Sequence, residues 1–435
     1  MVARPVAEGV QRRTDNAAIR GWTAATSCTK LLVLVLVAVL IAPGAARATS
    51  HRARHRRHAT RHHRSHYSTH GAPYHALLLE EADTGKILYD YNGGIQWPPA
   101  SMAKMMLLLV AEEAIQSGRV HLNDPVTISA NAAVTGGSRL GLLRAGEVVP
   151  LGELMKAALI RSANDAAVAV AEKVCGSTER CVALMNEQAK ALGMTHTVYH
   201  TVEGLPPRPL HDVDTTNAYD LATLARALIH RTNLLQWSGM ETASFEDGLV
   251  MLHNTNHLVG HFEGCDGLKT GFTIRAGFNL TATAERGNMR LIAVVLGAPN
   301  NSARFAQAAR LMEWGFDNFA KVTVLKRGEL LPVQVRVGTD EVMQPVAQNT
   351  VTVIVPKKDA ASIKIDYAVP ASQYGPLVSD QTVGHVIVRD GGEVLAECNA
   401  VCPFPVGQRP AVLNAMNGSD LNAHSATMQV EAPAR

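Results

Sequence analysis

The chain has 435 residues, of which 47% are apolar and 18% charged, and its formal net charge is +3. This length and apolar content predict two or three domains with sizeable cores and exclude a wholly disordered chain. The long apolar run, residues 31–42, is too short to cross a bilayer comfortably, which excludes a polytopic membrane protein. Residues 1–48 carry +4 and residues 51–70 carry +6, which leaves −7 for residues 71–435. This acidic remainder argues against nucleic acid as a partner.

Residues 1–48 have the layout of a secretory signal peptide. A basic region ends at Lys30, the apolar run follows, and Ala46-Arg47-Ala48 provides a small-residue cleavage site. An uncleaved signal anchor is the alternative, but the short apolar run favours cleavage. We therefore expect an exported protein, located in the periplasm or the cell envelope and peripheral to the inner membrane.

Residues 49–72 read as a disordered linker rich in His and Arg, because the tract 51–70 has seven histidines and six arginines and almost nothing to bury. A solvated linker is the favoured interpretation. The alternatives are peripheral contact with anionic lipid headgroups or cell-wall polymers, and loose metal binding through the histidines.

Five cysteines follow the signal peptide. Cys175 and Cys181 are six residues apart and Cys398 and Cys402 are four apart, so each pair could close a local disulfide in an oxidising compartment. Cys265 is left over. Neither spacing resembles a zinc site, and no metal or cofactor is expected.

Residues 73–320 predict a domain of helices and strands. Strands at 75–81 and 86–89 flank a turn, and a helix begins at Ser101 after Pro98-Pro99 and ends before Gly118. Further helices are predicted at residues 151–160, 166–174, 180–192, 219–229 and 304–319, and strands at 267–271, 276–284 and 289–297. The last two strands are joined by a tight antiparallel connection.

Residues 321–402 contain short β-rich segments separated by Gly, Pro and Asp turns and no helix pattern, which predicts a small all-β domain. The predicted strands are 331–337, 352–355, 363–367, 385–389 and 394–399. The last residues, 403–435, are rich in Pro, Asn and Ala and are expected to be a flexible tail.

Three short motifs carry chemistry: Ser101-x-x-Lys104, Ser162-x-Asn164 and Lys-Thr-Gly at 269–271. Each is weak alone, but their order and their placement on a helix start, an interhelix loop and a strand are what serine acyl transfer requires. Residues three apart on a helix share a face, so the Lys104 amine can reach the Ser101 hydroxyl. A neutral lysine can take the hydroxyl proton, and burial together with a second cation, Lys269, favours the neutral form.

The alternatives are structural. Ser101 could be a plain N-cap with Lys104 exposed, but the apolar run that follows Lys104 predicts a buried helix, where an unpaired lysine is costly. Ser162 or Asn164 could simply cap the next helix. Lys269 could be an ordinary edge-strand lysine, although the motif also offers a cation and a hydroxyl for a carboxylate. Its glycine, Gly271, would let a substrate backbone approach closely.

These motifs, with residues 266–273 and 290–297, resemble the low-molecular-mass penicillin-binding proteins, and more narrowly the D-alanyl-D-alanine carboxypeptidases with a β-rich C-terminal domain. The similarity spans residues 73–402. It implies the α+β fold of β-lactamases and transpeptidases, with an antiparallel sheet flanked by helices, followed by the all-β domain. It also implies removal of the terminal D-alanine from peptidoglycan stem peptides through an acyl-enzyme, with β-lactams as covalent inhibitors.

Carried onto this sequence, the resemblance implies that Ser101 is the nucleophile, Lys104 the acylation base and Ser162 a proton shuttle. Asn164 would hold the substrate. Recognition of the terminal carboxylate is implied for Lys269, Thr270 and Arg304, and the backbone N–H groups of Ser101 and Phe272 would form the oxyanion hole. Arg304 considered alone reads as a surface arginine at a helix start.

Two departures from the family pattern and three rival functions remain. Phe272 stands where some members have His, and residues 403–435 lack the sustained amphipathic period of a membrane-anchoring helix. A class A β-lactamase is the nearest rival, but Glu203 lacks the spacing of that family's water-activating glutamate. A D,D-endopeptidase and a non-catalytic cell-wall scaffold are the others.

Overall fold

The computed structural model describes residues 73–206, 212–339, 341–407 and 428–429. The predicted signal peptide and the His/Arg-rich linker lie outside these residues. None of the helices in these residues combines the length and the hydropathy that a membrane span requires.

The described residues form eight α-helices and three irregular helical segments. The α-helices are α1 (Lys104–Gln116), α2 (Ala130–Val134), α3 (Leu151–Lys156), α4 (Asn164–Cys175), α5 (Thr178–Ala191), α6 (Ala218–Arg231), α7 (Leu235–Ser238) and α8 (Asn301–Asn318). A 3-10 turn, Ala100–Ala103, precedes α1, and a π-helical turn, Ala157–Arg161, extends α3. A second 3-10 segment, Lys357–Ser362, lies in the β-rich part, where no helix was predicted.

The strands divide between the two parts of the chain. Those before residue 300 are β1 (Ala76–Glu81), β2 (Ile87–Tyr91), β3 (Pro125–Thr127), β4 (Val148–Pro150), β5 (Thr242–Phe245), β6 (Val250–His253), β7 (Cys265–Thr273), β8 (Gly277–Arg286) and β9 (Met289–Ala298). The remainder are β10 (Phe319–Leu325), β11 (Val335–Val337), β12 (Glu341–Met343), β13 (Val346–Ala347), β14 (Val351–Pro356), β15 (Ile363–Ala368), β16 (Ser372–Gln373), β17 (Thr382–Asp390), β18 (Glu393–Val401) and β19 (Met428–Gln429).

The central sheet is antiparallel, with the strand order β2-β1-β9-β8-β7, so β7 lies at its edge. Helices cover both faces, which explains why β1 is buried along its whole length instead of alternating. Leu78 faces the core formed with α1, α4 and α6, whereas Leu79 faces α8, whose Gly315 leaves room for that side chain. This arrangement confirms the predicted α+β class.

The β-rich part has its own hydrophobic core, formed by residues between Val322 and Val406. Its main sheet has the order β13-β18-β17-β15-β19, and smaller sheets pair β10 with β14 and β11 with β12 and β16. Met428–Gln429, in the part of the chain predicted to be a tail, pairs with β15. The other residues after 407 lie outside the described part of the chain.

The helices and strands predicted from periodicity are confirmed, with ends that differ by a few residues. The predicted strand 331–337 is shorter, because only Val335–Val337 pairs. The short elements α2, α7 and β3–β6 were not predicted, since three to five residues are too few to establish a period.

One of the two candidate disulfides forms. Cys175, at the end of α4, is bonded to Cys181 in α5. Cys398 and Cys402 are free and buried, so pairing them was wrong. Strand β18 carries Cys398, and four residues of extended chain span about 13 Å, which is too far for a disulfide. Cys265 is also free.

Candidate active site

The Ser101 hydroxyl is presented by the 3-10 turn that precedes α1. Pro98-Pro99 ends the preceding extended chain, and Ala100 has a φ of +52°, which turns the backbone sharply before Ser101. Two glycines pack against this turn: a Cβ on Gly271 would lie 2.5 Å from the Pro99 oxygen, and a Cβ on Gly204 would overlap the Ala100 carbonyl. The expected free space at Gly271 for a substrate backbone is therefore filled by the protein's own turn.

Lys104 is the first residue of α1 and is fully buried. Its Nζ donates to Ser101 Oγ at 3.1 Å, to Asn164 Oδ1 at 2.6 Å and to the Glu203 backbone oxygen at 2.7 Å. All three ammonium hydrogens are therefore accounted for, and one of them points at the candidate nucleophile. An exposed Lys104, the structural alternative, is excluded.

Burial lowers the pKa of Lys104 from 10.5 to about 7, because removing an ammonium group from water penalises its charged form. The neighbouring carboxylates of Glu203, Asp214 and Asp165 oppose this shift. Burial was expected to favour the neutral form of Lys104 together with the Lys269 cation, and burial is the main cause of the lowered pKa. The repulsion between the two lysines appears in the pKa of Lys269, which Lys104 helps to lower.

Ser162 and Asn164 lie where the π-helical turn meets α4. Ser162 is buried and adopts a left-handed conformation, with φ +63°, which ends the turn and redirects the chain into α4. Asn164 begins α4, but it does not cap that helix: its Oδ1 accepts from Lys104, and its Nδ2 donates to the Gly136 oxygen at 2.7 Å. The capping alternative for Asn164 is thus wrong.

Lys269 and Thr270 lie on the edge strand β7 and are nearly fully buried. Lys269 Nζ donates to the Thr270 oxygen at 3.0 Å, and Thr270 Oγ1 donates to Thr255 Oγ1 at 2.8 Å. Burial, Lys104 and Arg304 together hold the pKa of Lys269 well below its usual value. An ordinary exposed edge lysine is therefore excluded.

Arg304 is buried in the first turn of α8, so the reading of a surface arginine is wrong. Its Nη1 donates to the Gly271 oxygen at 3.2 Å and to the Asn279 oxygen at 3.0 Å, which attaches the guanidinium to the end of the Lys-Thr-Gly motif. Within the described residues, its buried Nε has no hydrogen-bond partner. Burial lowers the pKa of Arg304 to about 10. Phe272 is half exposed and packs against Phe278.

The structure thus brings Ser101, Lys104 and Asn164 into direct contact and places Arg304 against Gly271. Three contributors were missed in the sequence: the Glu203 carbonyl, the Thr255 hydroxyl, and Asn279, whose Nδ2 donates to the Pro98 oxygen at 2.9 Å. Only Asn279 left a sequence signal, as a polar amide inside an apolar strand.

Comparison with known proteins identifies both parts of the chain. Residues 64–300 match the family described as D-alanyl-D-alanine carboxypeptidase, and residues 319–407 match the penicillin-binding protein 5, C-terminal domain.

Two curated relatives and one solved structure extend the match. The chain is 34% identical over 329 residues to the D-alanyl-D-alanine carboxypeptidase DacF of Bacillus subtilis, covering 74% of this chain and 82% of that one. It is 33% identical over 328 residues to DacA of Escherichia coli, covering 74% and 80%. Penicillin binding protein 5 from Haemophilus influenzae has a similar structure, with a TM-score of 0.68 and 28% identity over 77% of this chain and 97% of that chain.

Proposed function

Because the chain belongs to the D-alanyl-D-alanine carboxypeptidase family of serine hydrolases, we propose that Ser101 is its nucleophile and Lys104 the base that activates it. The protein is a penicillin-binding serine peptidase that removes the terminal D-alanine from peptidoglycan pentapeptides. The single observation that carries the assignment is the 3.1 Å contact between the buried Lys104 Nζ and Ser101 Oγ.

In the acylation step, neutral Lys104 takes the Ser101 proton while Oγ attacks the carbonyl carbon of the penultimate D-alanine. Backbone N–H groups of Ser101 and Phe272 stabilise the negative oxygen of the tetrahedral intermediate. The intermediate expels the amine of the terminal D-alanine, which receives its proton through Ser162. Water then hydrolyses the acyl-enzyme and restores the Ser101 hydroxyl.

The terminal carboxylate is recognised by Lys269, Thr270 and Arg304, while Asn164 holds the substrate and orients Lys104. Burial and the neighbouring cations Lys104 and Arg304 disfavour the charged form of Lys269, as its lowered pKa indicates. A bound carboxylate supplies the missing counter-charge, so its arrival restores the Lys269 cation and strengthens the hydrogen bonds to the substrate.

The domain organisation proposed from the sequence places this site in residues 73–320, with the all-β domain in residues 321–402 and the tail after it. We also propose that residues 1–48 export the protein to the periplasm, where its activity on peptidoglycan contributes to cell shape. The linker 49–72, through its cationic 51–70 tract, would contact the anionic cell envelope.

The test is to incubate the purified protein with a labelled penicillin and to map the adduct, and in parallel to assay D-alanine release from a pentapeptide. We expect a single adduct on Ser101, and neither the adduct nor D-alanine release in a Ser101→Ala variant. An adduct on another residue would refute the nucleophile assignment. Label without D-alanine release would identify a penicillin-binding scaffold.

A further inference from the structure

A cavity of about 380 Å³ lies beside the turn that carries Ser101. Ala100 and Gly204 line it, and Gly204 is packed directly on Ala100. The other walls are mostly apolar and are formed by Pro98, Leu205, Pro206, Val213 and Ile274. Cavities of this size and character bind small organic groups.

Two of the residues that line this cavity, Ile274 and Arg275, are exposed. Ile274 is 98% exposed, although an isoleucine gains nothing from contact with water. Arg275 is also exposed, and within the described residues its side chain has no ion pair or hydrogen bond. The other charged residue of the cavity, Asp214, is already satisfied by the His200 and Thr201 backbone N–H groups and by the Thr201 hydroxyl.

The direction in which the bound peptide would run leads from Ser101 to this cavity. If the terminal carboxylate lies at Thr270 and the scissile carbonyl at Ser101, the rest of the peptide runs along β7 towards Thr273. Extended chains advance about 3.3 Å per residue. The length of β7 from Thr270 to Thr273 therefore matches the length of peptide between its terminal carboxylate and the third residue from its end. Thr273, Ile274 and Arg275 all line the cavity.

We infer that this cavity receives the side chain of the residue that precedes the D-alanyl-D-alanine pair, an inference that rests on the proposed function. The cavity selects an aliphatic side chain that ends in a carboxylate. The apolar walls, with Ile274, pack against methylene groups. Arg275 pairs with the carboxylate, because a guanidinium fork fits that group and no acidic side chain of the described residues is paired with this arginine.

The experiment compares kcat/KM for D-alanine release from three substrates. Two are pentapeptides with meso-diaminopimelate, whose side chain bears a carboxylate, or with lysine, whose side chain does not, at the third position. The third, N-acetyl-D-alanyl-D-alanine, lacks that residue. The variants are Ile274→Ser and Arg275→Gln, with Arg327→Gln as a matched exposed arginine in the β-rich part.

We expect the wild type and Arg327→Gln to prefer the diaminopimelate peptide by about fivefold, the upper range for an exposed ion pair. Arg275→Gln should abolish that preference. Ile274→Ser should lower kcat/KM for both pentapeptides, relative to the acetylated dipeptide, by about tenfold, the effect of losing methylene contacts in a pocket.

Two results would overturn the inference: an unchanged preference in Arg275→Gln, or an equal loss on all three substrates in Ile274→Ser, which would indicate a structural role. Failure of the proposed function itself would give a different result. In that case the wild type would release D-alanine from none of the three substrates, and the penicillin adduct on Ser101 would be missing.

Discussion

At the scale of single residues, the position of Lys104 supports the role of base that we propose for it. A lysine on the surface would be almost entirely protonated at neutral pH and could not accept a proton. Full burial changes this, and the Asn164 and Glu203 oxygens hold the amine in place beside Ser101. The same two acceptors orient the nitrogen whether or not it is charged.

Lys104→Ala should therefore lower the rate of Ser101 acylation by labelled penicillin by a factor of about 10²–10⁴, the usual contribution of a general base. In the wild type, the amine is the active form above its pKa, so the acylation rate should rise with pH through about 7 and then level off. Lys190→Ala, which removes an exposed lysine of α5, serves as the control. A wild-type rate in Lys104→Ala, or a flat profile between pH 5.5 and 8.5, contradicts the assignment.

At the scale of elements, the site depends on how closely β7 approaches the turn before α1. Asn279 of β8 donates to the Pro98 oxygen, and Gly271 of β7 lies directly against the Pro99 oxygen. The turn that holds Ser101 is therefore positioned by the sheet edge and not by α1 alone. Arg304 of α8 ties the same edge to a third element through the Gly271 oxygen.

Gly271→Ala tests this dependence. The added methyl group would lie 2.5 Å from the Pro99 oxygen, so β7 and the turn must separate. We expect a loss of about 1–3 kcal/mol in the free energy of unfolding, as for other overpacked sites. The acylation rate should fall about 10²-fold, because small displacements of reacting groups are costly.

Thermal unfolding and the penicillin acylation rate measure the two effects. Gly392→Ala is the control, because a Cβ there meets nothing within 4 Å. If Gly271→Ala behaves like this control in both measurements, the close packing does not position Ser101.

At the scale of the whole molecule, Lys321 joins the β-rich part to the central sheet. It lies on β10, which follows α8 without an intervening loop, and its Nζ donates to Glu81 Oε1 at 2.9 Å and also to Asp83. Glu81 is fully buried at the end of β1. Breaking a buried ion pair leaves its partner charged in a poor solvent, which makes this contact important for stability.

Lys321→Ala should lower the free energy of unfolding by about 3 kcal/mol, the cost of leaving a buried carboxylate without its cation. The acylation rate at 25 °C should not change, since Lys321 lies outside the proposed site. Thermal denaturation measures the stability and penicillin labelling measures the acylation rate. Lys326→Ala, which removes an exposed lysine close to Lys321 in the sequence, is the control. Equal melting temperatures for the two variants would show that the ion pair does not stabilise the fold.

The sequence by itself determined the main helices and strands and the pairing of Ser101 with Lys104. All of these follow from local patterns, because periodicity and a spacing of three residues on a helix are read over short stretches. Contacts between distant segments could not be read in this way. Only the tertiary structure decided that Asn164 and the Glu203 carbonyl bind Lys104, from 60 and 99 residues away.

The same limit explains the wrong predictions. Arg304 looked like a surface residue because α8 is amphipathic, and its burial depends on Gly271, 33 residues earlier. Gly271 was expected to face a substrate, but it faces Pro99, because chain closure brings β7 against that turn. Local sequence encodes propensity and spacing, whereas burial and desolvation, which set the pKa of Lys104, exist only once the chain has folded.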